Sequence, residues 1–163
     1  MGRGREYSAK SKILLTADPG MIVGQLALVV AAAFAGTAIY VSACEHPARL
    51  ALDDRAMLMQ WKPAYKHGAI MQASLSMIGT ILGLIAWWQS KNALWLVGSV
   101  SLIAPWPFTL LVIKPTNDRL LATEPQQAGP TSRALIEKWG RLHAVRTALG
   151  VLAAVLFFAA SLS

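Results

Sequence analysis

The chain has 163 residues, of which 55% are hydrophobic and only 14% charged, whereas soluble domains carry about 25% charged residues. The high apolar content excludes an intrinsically disordered chain, and the single cysteine, Cys44, excludes a disulfide scaffold. A net charge of +7 is typical of nucleic-acid-binding proteins, but here the basic residues flank apolar segments, where they suit anionic lipid headgroups. We therefore expect no nucleic-acid partner.

Four apolar stretches follow a basic N-terminal tail that covers residues 1–20. They lie at about residues 21–44, 68–88, 93–113 and 144–162. Each has the length of roughly 20 residues that an α-helix needs to cross the hydrocarbon of a bilayer. The stretches are apolar on most faces, which is typical of membrane spans and not of soluble amphipathic helices. The sequence therefore predicts an all-α fold, a single membrane domain over residues 21–163 that forms a four-helix bundle in the lipid bilayer.

The connections between the spans place two long loops on one side of the bundle, at about residues 45–67 and 114–143, opposite the termini. The connection from Gln89 to Asn92 is a tight turn on the terminal side. In the first loop, Pro47 and the apolar residues between Arg49 and Trp61 predict a short interfacial helix. The second loop is expected to end where Thr131 caps a helix that continues into the fourth span.

The orientation in the membrane follows from the basic residues of the connecting segments. The long loops hold nine lysines and arginines, and the terminal side holds five. The positive-inside rule then favours long loops in the cytoplasm, although the dense basic tail before the first span favours the opposite arrangement.

Reactive side chains gather at the membrane border on the long-loop side, which predicts a polar pocket at that mouth of the bundle. They are Glu45, His46, Tyr65, His67, Asn117, Trp139, His143 and Arg146. Trp139, His143 and Arg146 are spaced four and three residues apart, so they share one helix face. Gly150 continues this face and would allow close approach of a neighbouring helix or a ligand. Because an ionisable group at this depth needs a partner, Glu45 is expected to pair with Arg146.

The third span is interrupted by Pro105-Trp106-Pro107, and each proline removes a backbone hydrogen bond. In lipid the freed carbonyl groups need other partners, so a broken helix normally faces protein or a polar cavity. Two interpretations stay open, a kink that serves packing and a kink that widens a binding cavity.

A metal or haem site is an alternative use of the histidines. His46, His67 and His143, with Glu45, would supply nitrogen and carboxylate ligands. However, they come from three separate segments, and no His-x-x-x-His spacing is present. We predict no cofactor, and leave a metal ion or a haem with His143 as its axial ligand as the alternatives.

Four motifs give the chain a family resemblance. They are Tyr40 with Glu45-His46-Pro47-Ala48-Arg49, then Gln60-Trp61-Lys62-Pro63-Ala64-Tyr65, Pro115-Thr116-Asn117-x-x-Leu120, and Trp139-Gly140-x-Leu142-His143-Ala144-Val145-Arg146-Thr147. In this order, across four spans, the chain resembles the anthrone oxygenase-like family of small integral membrane proteins. Many members of that family are bacterial, which implies the bacterial inner membrane.

The resemblance implies oxidation of a hydrophobic anthrone to an anthraquinone without a flavin or other organic cofactor. An anthrone carries an acidic C–H group, so the chemistry needs mainly a base and an anion stabiliser. His143 is the expected base, and Arg146 or Asn117 would hold the developing oxyanion. Glu45 completes the predicted catalytic set as the partner of Arg146. Aromatic side chains would pack against the flat substrate; they are Trp61, Tyr65 and Trp139.

Two other function classes stay open. The same pocket could belong to a non-catalytic membrane protein that binds haem, a metal ion, a quinone or a lipid. Alternatively, the chain could be an accessory subunit of a larger membrane complex, or form a homo-oligomer. A visible spectrum, metal analysis and copurification would separate these functions from an oxygenase.

Overall fold

A computed structural model describes residues 19–163, so the predicted basic tail lies almost entirely outside the described residues. Four long helices make up most of the described chain, and no strand occurs in it. They are α1 (Met21–Leu50), α2 (Asp54–Ser90), α3 (Ala93–Ala122) and α4 (Pro130–Ser161). Each is long and apolar enough to cross a membrane. The predicted all-α four-helix fold is confirmed.

The helices pack in chain order around a ring. α1 packs against α2 and α4, and α3 packs against the same two helices. The turn between α2 and α3 is tight because Lys91 adopts a left-handed conformation with φ of 59°. Asn92 then caps α3, since its side-chain oxygen accepts a hydrogen bond from the Leu94 N–H group. The Asn92 amide also donates to the Ser163 hydroxyl, which ties this turn to the end of the chain.

The helices extend well beyond the predicted spans, and the first predicted loop shrinks to residues 51–53. The short interfacial helix predicted from Arg49 to Trp61 is not a separate element, because α1 ends at Leu50 and α2 begins at Asp54. Asp53 is the N-cap residue of α2, since its carboxylate accepts a hydrogen bond from the Ala56 N–H group.

The start of α4 differs slightly from the prediction. Gly129 takes the capping position instead of Thr131, and its N–H group donates to the Ser132 hydroxyl. The helix then runs without interruption from Pro130 to Ser161, as predicted for a helix that continues into the fourth span.

Two apolar clusters hold the ends of the bundle together. The cluster near the α2–α3 turn includes Phe34, Trp95, Leu102 and Phe157. The second cluster packs the N-terminal parts of α2 and α4 against α3, which explains why most of the predicted first loop is part of α2. Its members are Met57, Leu58, Trp61, Ile113, Leu120, Ile136 and Trp139.

Two helices contain π-helical stretches, at Val41–Glu45 in α1 and Thr109–Ile113 in α3. In α3 the stretch follows the break predicted from the two prolines, where the α-helix stops at Ile103 and resumes at Pro105. Beside this break, the Ser76 hydroxyl of α2 donates to the Leu102 carbonyl oxygen at 2.6 Å. π-helical stretches within α-helices are frequent at functional sites.

Candidate functional site

A small cavity lies among α1, α2 and α4, between the two apolar clusters. Its free volume is about 30 Å³. The residues that line it are Val41, Glu45, Arg49, Ala64, Tyr65, Gly68, Ala69, Gln72, Trp139, His143 and Arg146. The cavity therefore brings together five of the residues that the sequence singles out, namely Glu45, Tyr65, Trp139, His143 and Arg146.

The face of α4 toward this cavity carries the aromatic and basic side chains that the spacing predicts. His143 is 4% exposed and Arg146 is 9% exposed. The Trp139 ring stacks against the His143 ring, with 4.9 Å between the ring centroids. The helical spacing of four and three residues thus yields one shared, buried face.

Arg146 has no acidic partner within ion-pair distance among residues 19–163. One of its terminal nitrogens donates to the Gln72 amide oxygen at 2.9 Å, while its buried Nε has no hydrogen-bond partner in the described part of the chain. The predicted Glu45–Arg146 pair is therefore wrong. A buried cation without a counter-ion is costly, so this guanidinium is positioned to attract an anion.

Glu45 instead pairs with Arg49, which lies one helical turn further along α1. The Arg49 guanidinium donates to Glu45 at 2.5 Å and also to the Gln60 amide oxygen. Arg49 is only 2% exposed and lies over the Trp139 ring at 5.6 Å, so it needs this carboxylate for its own charge. The proximity of Arg49 explains why Glu45 is not available to Arg146.

His143 is held by a chain of hydroxyl groups between α4 and α1. Its Nδ1 lies 3.1 Å from the Ser42 hydroxyl, which lies 2.9 Å from the Thr147 hydroxyl. Thr147 also lies 3.2 Å from the Ala38 carbonyl oxygen, which can only accept. This chain fixes the orientation of the imidazole in the wall of the cavity.

Tyr65 lines the cavity, and two predicted site residues lie behind it. The Asn117 amide nitrogen donates to the Tyr65 hydroxyl at 3.1 Å, and the Trp61 ring stacks on the Tyr65 ring at 4.8 Å with an interplanar angle of 5°. Neither Asn117 nor Trp61 lines the cavity. Both residues are therefore placed to position Tyr65.

The three histidines do not lie together around a common metal or haem site. His46 packs against Trp139, with 5.9 Å between ring centroids, and a Cβ atom added at Gly140 would overlap its ring. His67 is exposed and does not line the cavity. Within the described range 19–163, no three His, Cys, Asp or Glu side chains lie close enough together to hold a metal ion.

Four polar residues of the site were given no role in it by the sequence-based prediction, namely Ser42, Arg49, Gln72 and Thr147, although Arg49 and Thr147 stand in the family motifs. Gln72 carried a usable signal, because it is an amide within a predicted membrane span, and it is only 3% exposed. Ser42 and Thr147 carried a weaker signal, since hydroxyl residues in spans commonly bond to the backbone of their own helix.

Comparisons with known proteins point to one family. A family model described as anthrone oxygenase matches residues 61–156. The anthrone oxygenase nsrD of Aspergillus novofumigatus (strain IBT 16806) is 32% identical over 152 residues, covering 85% of this chain and 92% of the relative. An anthrone oxygenase of Claviceps purpurea (strain 20.1) is 29% identical over 111 residues, covering 61% of this chain and 64% of the relative. No solved structure matches the chain significantly.

Proposed function

The chain belongs to the anthrone oxygenase family, and on that premise we propose that it is a membrane-embedded oxygenase of hydrophobic, anthrone-type aromatic compounds. The names of its relatives and its four apolar helices support this proposal. Substrates of this class partition into the bilayer, so a buried site between membrane helices suits them.

The observation that carries the proposal is that the buried Arg146 guanidinium in the cavity wall forms no ion pair with a carboxylate of the described residues. When an anthrone loses its acidic C–H proton, the negative charge is delocalised onto the ketone oxygen. A fixed cation in a poorly solvated site stabilises such an oxyanion far more strongly than it would in water. Gln72 holds Arg146 in place without neutralising it.

His143 is the proposed base, and its hydrogen bonds support that role. If Thr147 donates its hydroxyl proton to the Ala38 carbonyl oxygen, it can accept from Ser42, which in turn accepts from Nδ1–H of His143. The proton then resides on Nδ1, and Nε2 carries a lone pair. A neutral imidazole with a free Nε2 can accept the substrate proton.

The proposed reaction balances with dioxygen as the only other reactant. His143 takes one proton from the methylene carbon, and the resulting carbanion adds to O₂ to form a carbon–oxygen bond. The peroxide anion that results takes the proton back from His143 and becomes a hydroperoxide. This hydroperoxide loses water as the oxygen–oxygen bond breaks and the second C–H proton leaves. One oxygen atom becomes the new ketone of the anthraquinone, and the other leaves in water.

The test of the base compares three proteins in lipid nanodiscs. We expect His143→Gln to lower kcat for anthrone oxidation by about 100-fold or more, the usual contribution of a general base. Ser42→Ala keeps the imidazole but loses the bond to Nδ1, so we expect a smaller loss of about tenfold. Unchanged kcat in a folded His143→Gln protein would remove His143 from the reaction.

A further inference from the structure

The cavity beside His143 is too small for a three-ring aromatic compound. Its free volume is about 30 Å³, and a single water already needs roughly 10–15 Å³ by this measure. There is room for dioxygen or a few waters. The rings of the substrate must therefore bind next to this cavity, with only the reacting edge near His143 and Arg146.

A second and larger cleft adjoins the cavity between α2 and α3. Its free volume is about 170 Å³. The two spaces share four wall residues, namely Tyr65, Ala69, Gln72 and Arg146. The rest of the cleft is small or apolar, lined by Ala73, Ser76, Pro105, Trp106, Thr109 and Leu110. An occupant of the cleft would thus meet the same guanidinium that lines the small cavity.

The shape of α3 and the small residues of α2 create this cleft. The α-helix breaks before Pro105 and becomes π-helical from Thr109, while α2 presents Ala69 and Ala73 opposite. Trp106 and Leu110 are exposed on the outer surface of the bundle, so the cleft opens where acyl chains would lie. The helix break at Pro105 therefore lies where the cleft opens to the outer surface of the bundle.

We propose that this cleft is the binding site for the aromatic rings of the substrate, which enters sideways from the bilayer between α2 and α3. The inference rests on the proposed function, since that function supplies the flat, lipophilic occupant. Two observations support this proposal. The first is that the cleft is continuous with the cavity. The second is that Arg146, a side chain more than nine-tenths buried in the wall that both spaces share, has an Nε atom without a hydrogen-bond partner among the described residues.

Photo-crosslinking with benzophenone, a lipophilic diaryl ketone, tests the site without relying on turnover. We expect saturable adducts on the wild-type protein in nanodiscs within Pro105–Leu110 or Ala69–Ser76, and suppression of them by excess anthrone. Saturable adducts at Glu45–Arg49 instead, or adducts over all lipid-facing positions that anthrone does not suppress, would overturn the proposal.

A pair of substitutions on α2 gives a second readout. Ala73→Phe fills the cleft, whereas Ser74→Phe adds the same ring at an exposed position one residue further on. We expect Ala73→Phe to raise KM for anthrone by about tenfold or more and to abolish the saturable adducts, with Ser74→Phe like wild type. Unchanged KM and adducts in Ala73→Phe would contradict the cleft.

The two proposals fail in different ways. Saturable, anthrone-sensitive adducts in the cleft of a wild-type protein that does not oxidise anthrone would support the binding site and refute the oxygenase. Anthrone oxidation that is insensitive to Ala73→Phe would support the oxygenase and refute the cleft.

Discussion

Two buried arginines of the site have opposite surroundings. Arg49 donates to the Glu45 carboxylate and the Gln60 amide, so its charge is neutralised within the protein. Among residues 19–163, the only hydrogen-bond partner of the Arg146 guanidinium is the Gln72 amide oxygen. Removing an ion from water costs several kcal/mol, and no carboxylate offsets this cost for Arg146. An anion that binds beside Arg146 would therefore stabilise the site. The difference separates a structural cation from one available to a ligand.

Substitutions at Arg146 should therefore affect turnover much more than stability. We expect Arg146→Gln to lower kcat/KM for anthrone by about 100-fold or more, as the loss of an oxyanion donor does, and Arg146→Lys to retain part of it. Arg141→Gln, on the exposed side of the same helix, is the matched control and should behave as wild type. Steady-state kinetics in nanodiscs measures this, and equal activity of Arg146→Gln and Arg141→Gln would eliminate Arg146 as the anion binder.

Site residues were predictable on three helices, but their mutual geometry was predictable only within one helix. The spacing of Trp139, His143 and Arg146 predicts their common face, because the period of an α-helix fixes it. The partner of Arg146 lies on another helix, and its identity depends on how α1 and α2 are rotated. The π-helical stretch Val41–Glu45 changes that rotation in α1, and periodicity alone does not reveal such a stretch.

At the scale of the helices, close packing depends on glycines at the crossing points. A Cβ atom at Gly150 of α4 would lie 2.6 Å from the Phe34 ring and 3.6 Å from the Ala35 Cα atom of α1. The close approach of a neighbouring helix, predicted from sequence, is confirmed. Gly36 is exposed on the same helix as Phe34, and a Cβ atom there would meet nothing within 4 Å.

A pair of glycine substitutions separates packing from helix propensity. We expect Gly150→Ala to destabilise the bundle by about 1–3 kcal/mol, since the methyl group overpacks against Phe34. Gly36→Ala should leave the stability unchanged or raise it by up to about 1 kcal/mol, because alanine favours a helix. Thermal unfolding in detergent compares the two, and equal shifts in Tm would refute a close α1–α4 contact at Gly150.

Helix boundaries were less predictable than the helices themselves. Hydropathy locates the apolar part of each span, but α2 begins 14 residues before the predicted start at residue 68. The added turns contain Met57, Leu58 and Trp61, which are buried by contacts with α3 and α4. Such tertiary burial extends a helix through polar sequence and past Pro63, and a scan for apolar runs cannot detect it.

For the whole molecule, composition reduced the fold class to two possibilities, because a chain with 55% hydrophobic and 14% charged residues can bury its backbone in lipid only as helices or a closed barrel. The runs of about 20 apolar residues then favour helices. The position of the substrate cleft was not predictable, since it depends on how the break at Pro105 meets Ala69 and Ala73 of α2. The sequence predicted a pocket at the loop-side mouth and left open whether the break at Pro105 widens a cavity.

We propose that this chain catalyses the oxygenation without a second protein. The most direct measurement supplies purified protein in nanodiscs with an anthrone and isotope-labelled O₂, and follows the label by mass spectrometry. We predict an anthraquinone that contains one labelled oxygen atom, with the second label in water, formed much faster than in empty nanodiscs. Product formation no faster than in empty nanodiscs, or formation that requires a copurified second protein, would contradict it.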